Sequence, residues 1–121
     1  MTGSFRPAEH IRKRADFERI YEIGSKCAGR LMTIFASRTE AVVARLGIAA
    51  TRKIGSAVER NRAKRLVREI FRRHKPPAGT DVVVVPRRVI LNAPYETIEA
   101  EFIGLLGRCD RRQRPIGLDG H

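Results

Sequence analysis

Ser56-Ala57-Val58-Glu59 and His74-Lys75-Pro76-Pro77 bracket one segment of the chain with start and stop signals that commit it to a helix. Ser-x-x-Glu is the form of a capping box, in which the serine hydroxyl accepts the Glu59 amide proton and the glutamate reaches back to the serine amide. A residue before proline is pushed out of the helical region and proline cannot continue the ladder, so a helix starting near Ala57 stops near His74. Asp81-Val82-Val83-Val84-Val85-Pro86 follows, an unbroken β-branched run typical of a strand covered on both faces. Ala41 to Thr51, small and β-branched, reads as a strand before the helix. Strand, helix, strand across 41–86 makes a crossover unit.

The flanks supply the remaining elements. From Ala15 a short helix is expected, with Phe17, Ile20 and Tyr21 on one face, Asp16 and Glu18 at its positive end and Gly24 closing it, though no Ser, Thr or Asn stands at its cap. Arg30 to Ser37 alternates as a strand, Met32, Ile34 and Ala36 on one side, Leu31, Thr33 and Phe35 on the other. Both sides are fairly apolar, which leaves room for an aromatic outside the core. With Glu40 and its neighbours as a turn, a hairpin to Ala41–Thr51 is the simplest connection. Pro94 suits a first helical residue, Ile98, Phe102, Leu105 and Leu106 form an apolar stripe, and Gly107 can end it. The coarse order is αββαβα. Residues 1–11 read as a flexible basic arm and 108–121 as a flexible basic tail around one domain at 12–107.

At 121 residues with 42% apolar side chains, the chain has the size and composition of one folded domain. Its net charge of +12 then decorates a folded body and makes a polyanion the obvious partner. No apolar stretch is long enough to span a bilayer, and Met1 to Arg14 is polar and basic with no apolar run after it, so the chain reads as cytosolic, with no membrane partner. Cys27 and Cys109 have no second pair for zinc, and a lone disulfide is disfavoured in a reducing compartment; both read as ordinary residues.

The charge is concentrated. Ten Lys or Arg against two acids lie between Arg52 and Lys75, so 24 residues hold +8 of the +12. Projected on a helix, Ala63, Leu66, Val67 and Ile70 form an apolar stripe, and Asn61, Arg65, Arg68 and Arg72 line the opposite face. Like charges at i+3 and i+4 each cost a few tenths of a kcal/mol, and Arg60 and Arg62 oppose the helix dipole. A merely solvated face would interleave glutamate; this one does not, which points to a phosphate backbone as the missing counter-charge. Arginine's predominance favours bidentate phosphate contacts and base stacking.

The run Arg52-Lys53-Ile54-Gly55-Ser56-Ala57-Val58-Glu59-Arg60-Asn61-Arg62-Ala63-Lys64-Arg65-Leu66-Val67-Arg68-Glu69 resembles the RNR motif of the protein subunit of bacterial ribonuclease P. The likeness extends to Asp81–Arg87, Asp16-Phe17 and Gly47, covering roughly residues 12–107. It implies an α+β fold, a single-domain αββαβα sandwich with a left-handed βαβ crossover like that of the second domain of ribosomal protein S5, against the usual right-handed preference. It implies a monomeric protein bound to a catalytic RNA subunit, helping that RNA remove the 5′ leader from precursor tRNA endonucleolytically. The catalytic groups and Mg²⁺ ions would belong to the RNA, with no cofactor bound by the protein alone. By the same resemblance Arg60, Asn61, Arg62, Lys64, Arg65, Arg68 and Arg72 dock the RNA subunit, with Arg52 and Lys53 in the preceding loop. Phe17, Tyr21 and Phe35 would line a cleft for the leader. Aromatic stacking beside a basic groove is how single-stranded RNA is held, although an i, i+4 aromatic pair is as readily core.

As a catalyst the chain is poorly equipped. Protein nucleases need clustered carboxylates holding metal ions or a histidine acid/base pair. The acids here are scattered, and His10, His74 and His121 lie in an arm, at a helix end and at the terminus, His74 reading as a dipole partner. No catalytic or metal-binding residue is expected. Glu96, Glu99 and Glu101 read as a face solvated or turned away from RNA. A general RNA-binding or ribosome-associated module fits the fold and charge as an alternative. A DNA-binding protein fits less well, since no helix-turn-helix spacing is visible.

Overall fold

The computed structural model describes residues 7–113. In chain order its elements are α1 (Arg14–Ile23), β1 (Ser25–Ala28), β2 (Met32–Arg38), β3 (Arg45–Ile48), α2 (Ala57–Arg73), β4 (Thr80–Pro86) and α3 (Tyr95–Gln113), with 3-10 turns at Pro7–Glu9 and Arg88–Asn92. The strands form one sheet in the order β1-β2-β4-β3, β2 antiparallel to β1 and β4, and β3 parallel to β4. β3, α2 and β4 are therefore the expected crossover, joining neighbouring parallel strands in a single α+β domain.

Alternation along the strands sends the two sheet faces to different helices. Met32, Ile34, Ala36, Leu46, Val82 and Val84 pack with Ala63, Val67, Ile70 and Phe71 of α2 and with Ile98, Phe102 and Leu105 of α3. On the other face Val83 packs with Ile11 and with Ile20 of α1, and the half-buried Phe17, Phe35 and Val85 gather round them. α1 begins at Arg14 behind an N-cap Lys13 that makes no side-chain bond, and the Gly24 amide donates to the Ile20 carbonyl at 2.9 Å beyond its end.

The capping box forms as the sequence demands. Ser56 Oγ accepts from the Glu59 amide at 3.2 Å and Glu59 Oε1 accepts from the Ser56 amide at 2.9 Å. That backbone bond, helped by Arg88, holds the Glu59 carboxyl below the usual carboxylate range. A carboxyl lowered on folding adds stability above its unfolded pKa and loses it as pH falls through the folded one. Glu59→Gln is accordingly expected to lower the Tm at neutral pH, and the gap to wild type to close below the ordinary carboxylate range. Thermal melts across that range check it; a gap independent of pH would contradict the linkage.

Several expectations are corrected. β2 and β3 form no hairpin, because β4 lies between them: its valine run is apolar on both faces and takes the sheet centre, leaving four-residue β3 at an edge. Ser25–Ala28 adds a strand missing from the αββαβα order, and the local hairpin is β1–β2. Its turn is held by Glu101, whose carboxylate accepts from the amides of Arg30, Leu31 and Met32 at 3.0, 2.8 and 3.0 Å. Glu99 lies 2.6 Å from Nε2 of His74, the residue that caps α2. Of the three glutamates read as a face solvated or turned away from RNA, then, only Glu96 is exposed.

Pro94 stands just before α3, its carbonyl accepting from Thr97 and Ile98. The helix does not stop at Gly107. It continues because Cys109 is fully buried, its thiol 3.4 Å from the Ser25 carbonyl and 3.7 Å from that of Ile34, while Asp110 pairs with Arg38 at 2.7 Å. Residues 108–113 are thus helix, not tail. Glu9 and Ile11 likewise tie this end of the arm to the domain: Ile11 is buried and donates its amide to the Leu46 carbonyl at 2.8 Å, and buried Glu9 meets Lys75 at 2.7 Å. The rest of the arm, 1–6, and of the tail, 114–121, lies outside the described residues.

Candidate nucleic-acid interface

α2 separates its two tasks by face. Ala63, Val67, Ile70 and Phe71 are buried and Leu66 is half-buried, so the helix is clamped from below, while Asn61, Arg62, Arg65 and Arg68 are exposed. Phe71 is the one deeply buried side chain absent from the stripe read in the sequence. Arg52 and Lys53 stand exposed in the turn before the helix, where buried Ile54 anchors the chain. Gly55 follows with φ +142°, a value that other side chains rarely adopt.

The charge balance of this ridge is the main electrostatic fact. Arg60 donates to the Gly55 carbonyl at 2.8 Å and Arg62 to the Leu91 carbonyl at 3.3 Å, contacts that orient the guanidinium groups without cancelling their charge. Arg72 does meet a carboxylate: both oxygens of Glu69 lie 2.7 Å away, and Arg73 shares that glutamate at 2.8 Å. Hydrogen bonding from Arg72 holds the Glu69 carboxyl below its usual range and raises Arg72 in turn. Among the described residues, Arg52, Lys53, Lys64, Arg65 and Arg68 pair with no carboxylate. Lys64 and Arg68 also line a depression of about 290 Å³ with His10, Arg12, Leu46 and Ile48.

Phe17, Tyr21 and Phe35 come together on the other sheet face. Phe17 and Tyr21, one turn apart on α1, have ring centroids 6.3 Å apart, and Tyr21 meets Phe35 of β2 edge-on at 4.8 Å. Gly47 of β3 lies against Phe17: a Cβ there would sit 2.7 Å from its Cζ, so any side chain at this position would displace the ring. Tyr21 is 40% exposed, and its partial burial raises the hydroxyl pKa. Phe17 and Phe35 pack half-buried against Ile11, Ile20 and Val83. The three rings thus seal the second cluster and keep part of their surface open to solvent.

Along the same face, Thr33 and Val85 pair across β2 and β4 and border a depression of about 300 Å³ reaching Thr51, Lys53, Arg87 and Arg88. Arg87 lines it and donates to the Gly29 carbonyl at 3.1 Å and to Thr33 Oγ1 at 3.2 Å. Arg88 donates to the Ile54 carbonyl. The surface thus leads from cations beside the start of α2 to the aromatic wall. Neither Arg87 nor Arg88 was singled out from the sequence; a basic pair directly after a buried valine strand was the available signal.

A buried network seats α1 above this surface. Asp81, fully buried at the start of β4, accepts from Arg45 Nε at 2.9 Å and from its terminal nitrogen at 2.6 Å, and from Arg19 of α1 at 3.3 Å. Asp16 flanks both arginines at 3.8–3.9 Å. The hydrogen bond to Asp81 raises the Arg45 pKa. Two acids and two arginines leave the cluster neutral, so it orients the helix and adds nothing to the basic field.

Among the described residues, no group of three or more His, Cys, Asp or Glu side chains is placed to hold a metal ion, and no helix is long and apolar enough to cross a membrane. A protein-family model described as Ribonuclease P matches residues 5–110. The ribonuclease P protein component of Thermotoga sp. (strain RQ2) is 37% identical over 116 residues, covering 91% of this chain and 99% of that one. Among solved structures, the RNase P protein of Thermotoga maritima is 36% identical with a TM-score of 0.74, over 83% of this chain and 96% of that one. A variant of the Staphylococcus aureus RNase P protein is 32% identical with a TM-score of 0.77, over 85% and 89%. Agreement of sequence and backbone along nearly the whole length of these proteins, with the basic helix inside the matched span, means that the chain belongs to the ribonuclease P protein family.

Proposed function

We propose that this chain is the RNA-binding protein subunit of a ribonuclease P, assisting a catalytic RNA in endonucleolytic removal of the 5′ leader from precursor tRNA. The observation that carries the reading is the ridge on α2, whose Arg65, Arg68 and Lys64 meet no carboxylate among the described residues. Such groups on a helix clamped by its apolar underside form a fixed array of donors for RNA phosphates, and each phosphate neutralised releases condensed counterions. Arg60, Asn61, Arg62 and Arg72, with Arg52 and Lys53 ahead of the helix, extend the array. The Phe17–Tyr21–Phe35 wall holds leader nucleotides by stacking, which tolerates any base because every base has a π-face. In this reading the catalytic groups and Mg²⁺ ions belong to the RNA, and the protein works as a monomer in the cytoplasm.

Leader stacking makes a selective prediction. Phe35→Ala is expected to weaken holoenzyme binding of precursor tRNA by about 1–3 kcal/mol, roughly 5- to 150-fold, the range for one stacked base. Binding of mature tRNA, which has no leader, is expected to stay unchanged. Equal losses for both substrates, measured by titration of the reconstituted holoenzyme, would reject the aromatic wall as the leader site.

A further inference from the structure

β1 is the last strand of the sheet on the side away from β3, so a nucleic-acid strand crossing the aromatic wall from the Lys53 side leaves the protein over β1. One cation of β1 faces that exit. Lys26 pairs in register with Phe35 across the β1–β2 ladder, which puts both side chains on the sheet face covered by α1. Its ammonium lies 5.8 Å from the centroid of the Phe35 ring, and the residue is exposed. Phe35 is thus flanked by the Tyr21 ring and by a positive charge. Contact with the ring's negative face holds the long lysine side chain near one place, which reduces the ordering cost of binding an anion there.

The geometry points to Lys26 as the outer clamp of the leader path: its ammonium takes the phosphate next to the nucleotide stacked at Phe35, and so sets how much of the leader the protein grips. This inference rests on the leader reading of the aromatic wall. It adds what stacking alone lacks, since π-faces grip bases without fixing the backbone, whereas a cation at the far end defines where the grip ends. Lysine, a compact point charge on a flexible stem, suits one phosphate of a strand that carries no fixed sequence.

The test is a series of precursor tRNAs with leaders lengthened one nucleotide at a time, bound to holoenzyme containing wild-type protein, Lys26→Gln, Lys26→Arg or Phe35→Ala. Wild-type affinity is expected to rise with leader length and then level off. Lys26→Gln is expected to level off at a shorter leader, with final affinity about threefold lower or more, the counterion-release worth of one single-strand phosphate contact at about 0.2 M salt. Its salt slope should be shallower by about one, and Lys26→Arg should restore both. A Lys26→Gln curve superimposed on wild type, while Phe35→Ala lowers the curve, would overturn the clamp and leave the leader reading intact. Affinity indifferent to leader length and to Phe35→Ala would overturn both.

Discussion

Holoenzyme containing Arg65→Glu together with Arg68→Glu is expected not to assemble at moderate salt. Both guanidinium groups are exposed and meet no carboxylate among the described residues, so neither substitution breaks an internal ion pair. The helix itself should persist, since its hold on the domain runs through Ala63, Val67, Ile70 and Phe71 on the other face. Glutamate at both positions keeps a like-charge pair at i, i+3, which costs only a few tenths of a kcal/mol and does not threaten the helix. What is lost is docking: a hydrogen bond to a charged group is worth about 1.5–3 kcal/mol, and two of them correspond to roughly 10²- to 10⁴-fold in affinity for the RNA subunit, before the repulsion between the new carboxylates and phosphate is counted. The salt slope of any residual binding should fall by about two. Filter binding against the ribonuclease P RNA measures both quantities. The matching control is Arg108→Glu with Arg111→Glu, which makes the same change in net charge from exposed positions on α3. If the control lost as much affinity as the ridge variant, the effect would come from the overall field and the ridge would lose its assignment.

What the chain shows in one dimension follows the range over which each element is stabilised. α2 was legible to within a residue because its start and stop are local: Ser56 and Glu59 satisfy each other three residues apart, and Pro76-Pro77 closes the other end. The opposition of Asn61, Arg65 and Arg68 to Ala63, Val67 and Ile70 follows from helical periodicity alone. Strand pairing was not legible in the same way. β2 takes β4 as its inner neighbour, more than 40 residues later, and Ser25-Lys26-Cys27-Ala28 becomes a strand only because β2 offers it an edge. Gly107 resembles a helix end until Cys109 is seen buried against β1 and β2. The aromatic trio is visible in the sequence, but its half-buried state depends on Gly47 and Val83, which arrive from two other strands. Lys26 carries no signal in the sequence, since its meaning comes wholly from facing Phe35 across the β1–β2 pair.

The Asp81 network is the extreme of that long-range kind, and it carries the largest expected loss of stability. Arg45 and Arg19 lie 36 and 62 positions from Asp81 in the chain, yet the three converge where α1 crosses the start of β4. The asymmetry of burial decides which substitution is worse. The Arg45 side chain keeps 23% of its surface in solvent and that of Arg19 keeps 40%, but Asp81 keeps none. Removing the aspartate leaves two arginines that can turn outward to water. Removing Arg45 leaves a carboxylate with no solvent and only the longer contact to Arg19. Breaking a buried pair in that way costs about 3–5 kcal/mol, a large part of the 5–15 kcal/mol typical of a whole domain. Arg45→Met, which keeps the apolar stem, is therefore expected to lower unfolding stability by about 3–5 kcal/mol in urea melts, and Arg45→Met with Asp81→Asn to recover at least half of that loss, because the buried charge is then gone. A loss under about 1 kcal/mol for Arg45→Met, the range of an exposed pair, would show that water reaches Asp81 and that the network does not seat α1. The double variant should also carry a looser aromatic wall, since Arg19 would keep only a neutral acceptor at position 81 to draw α1 toward β4, and its affinity for precursor tRNA is expected to fall further than its affinity for the RNA subunit.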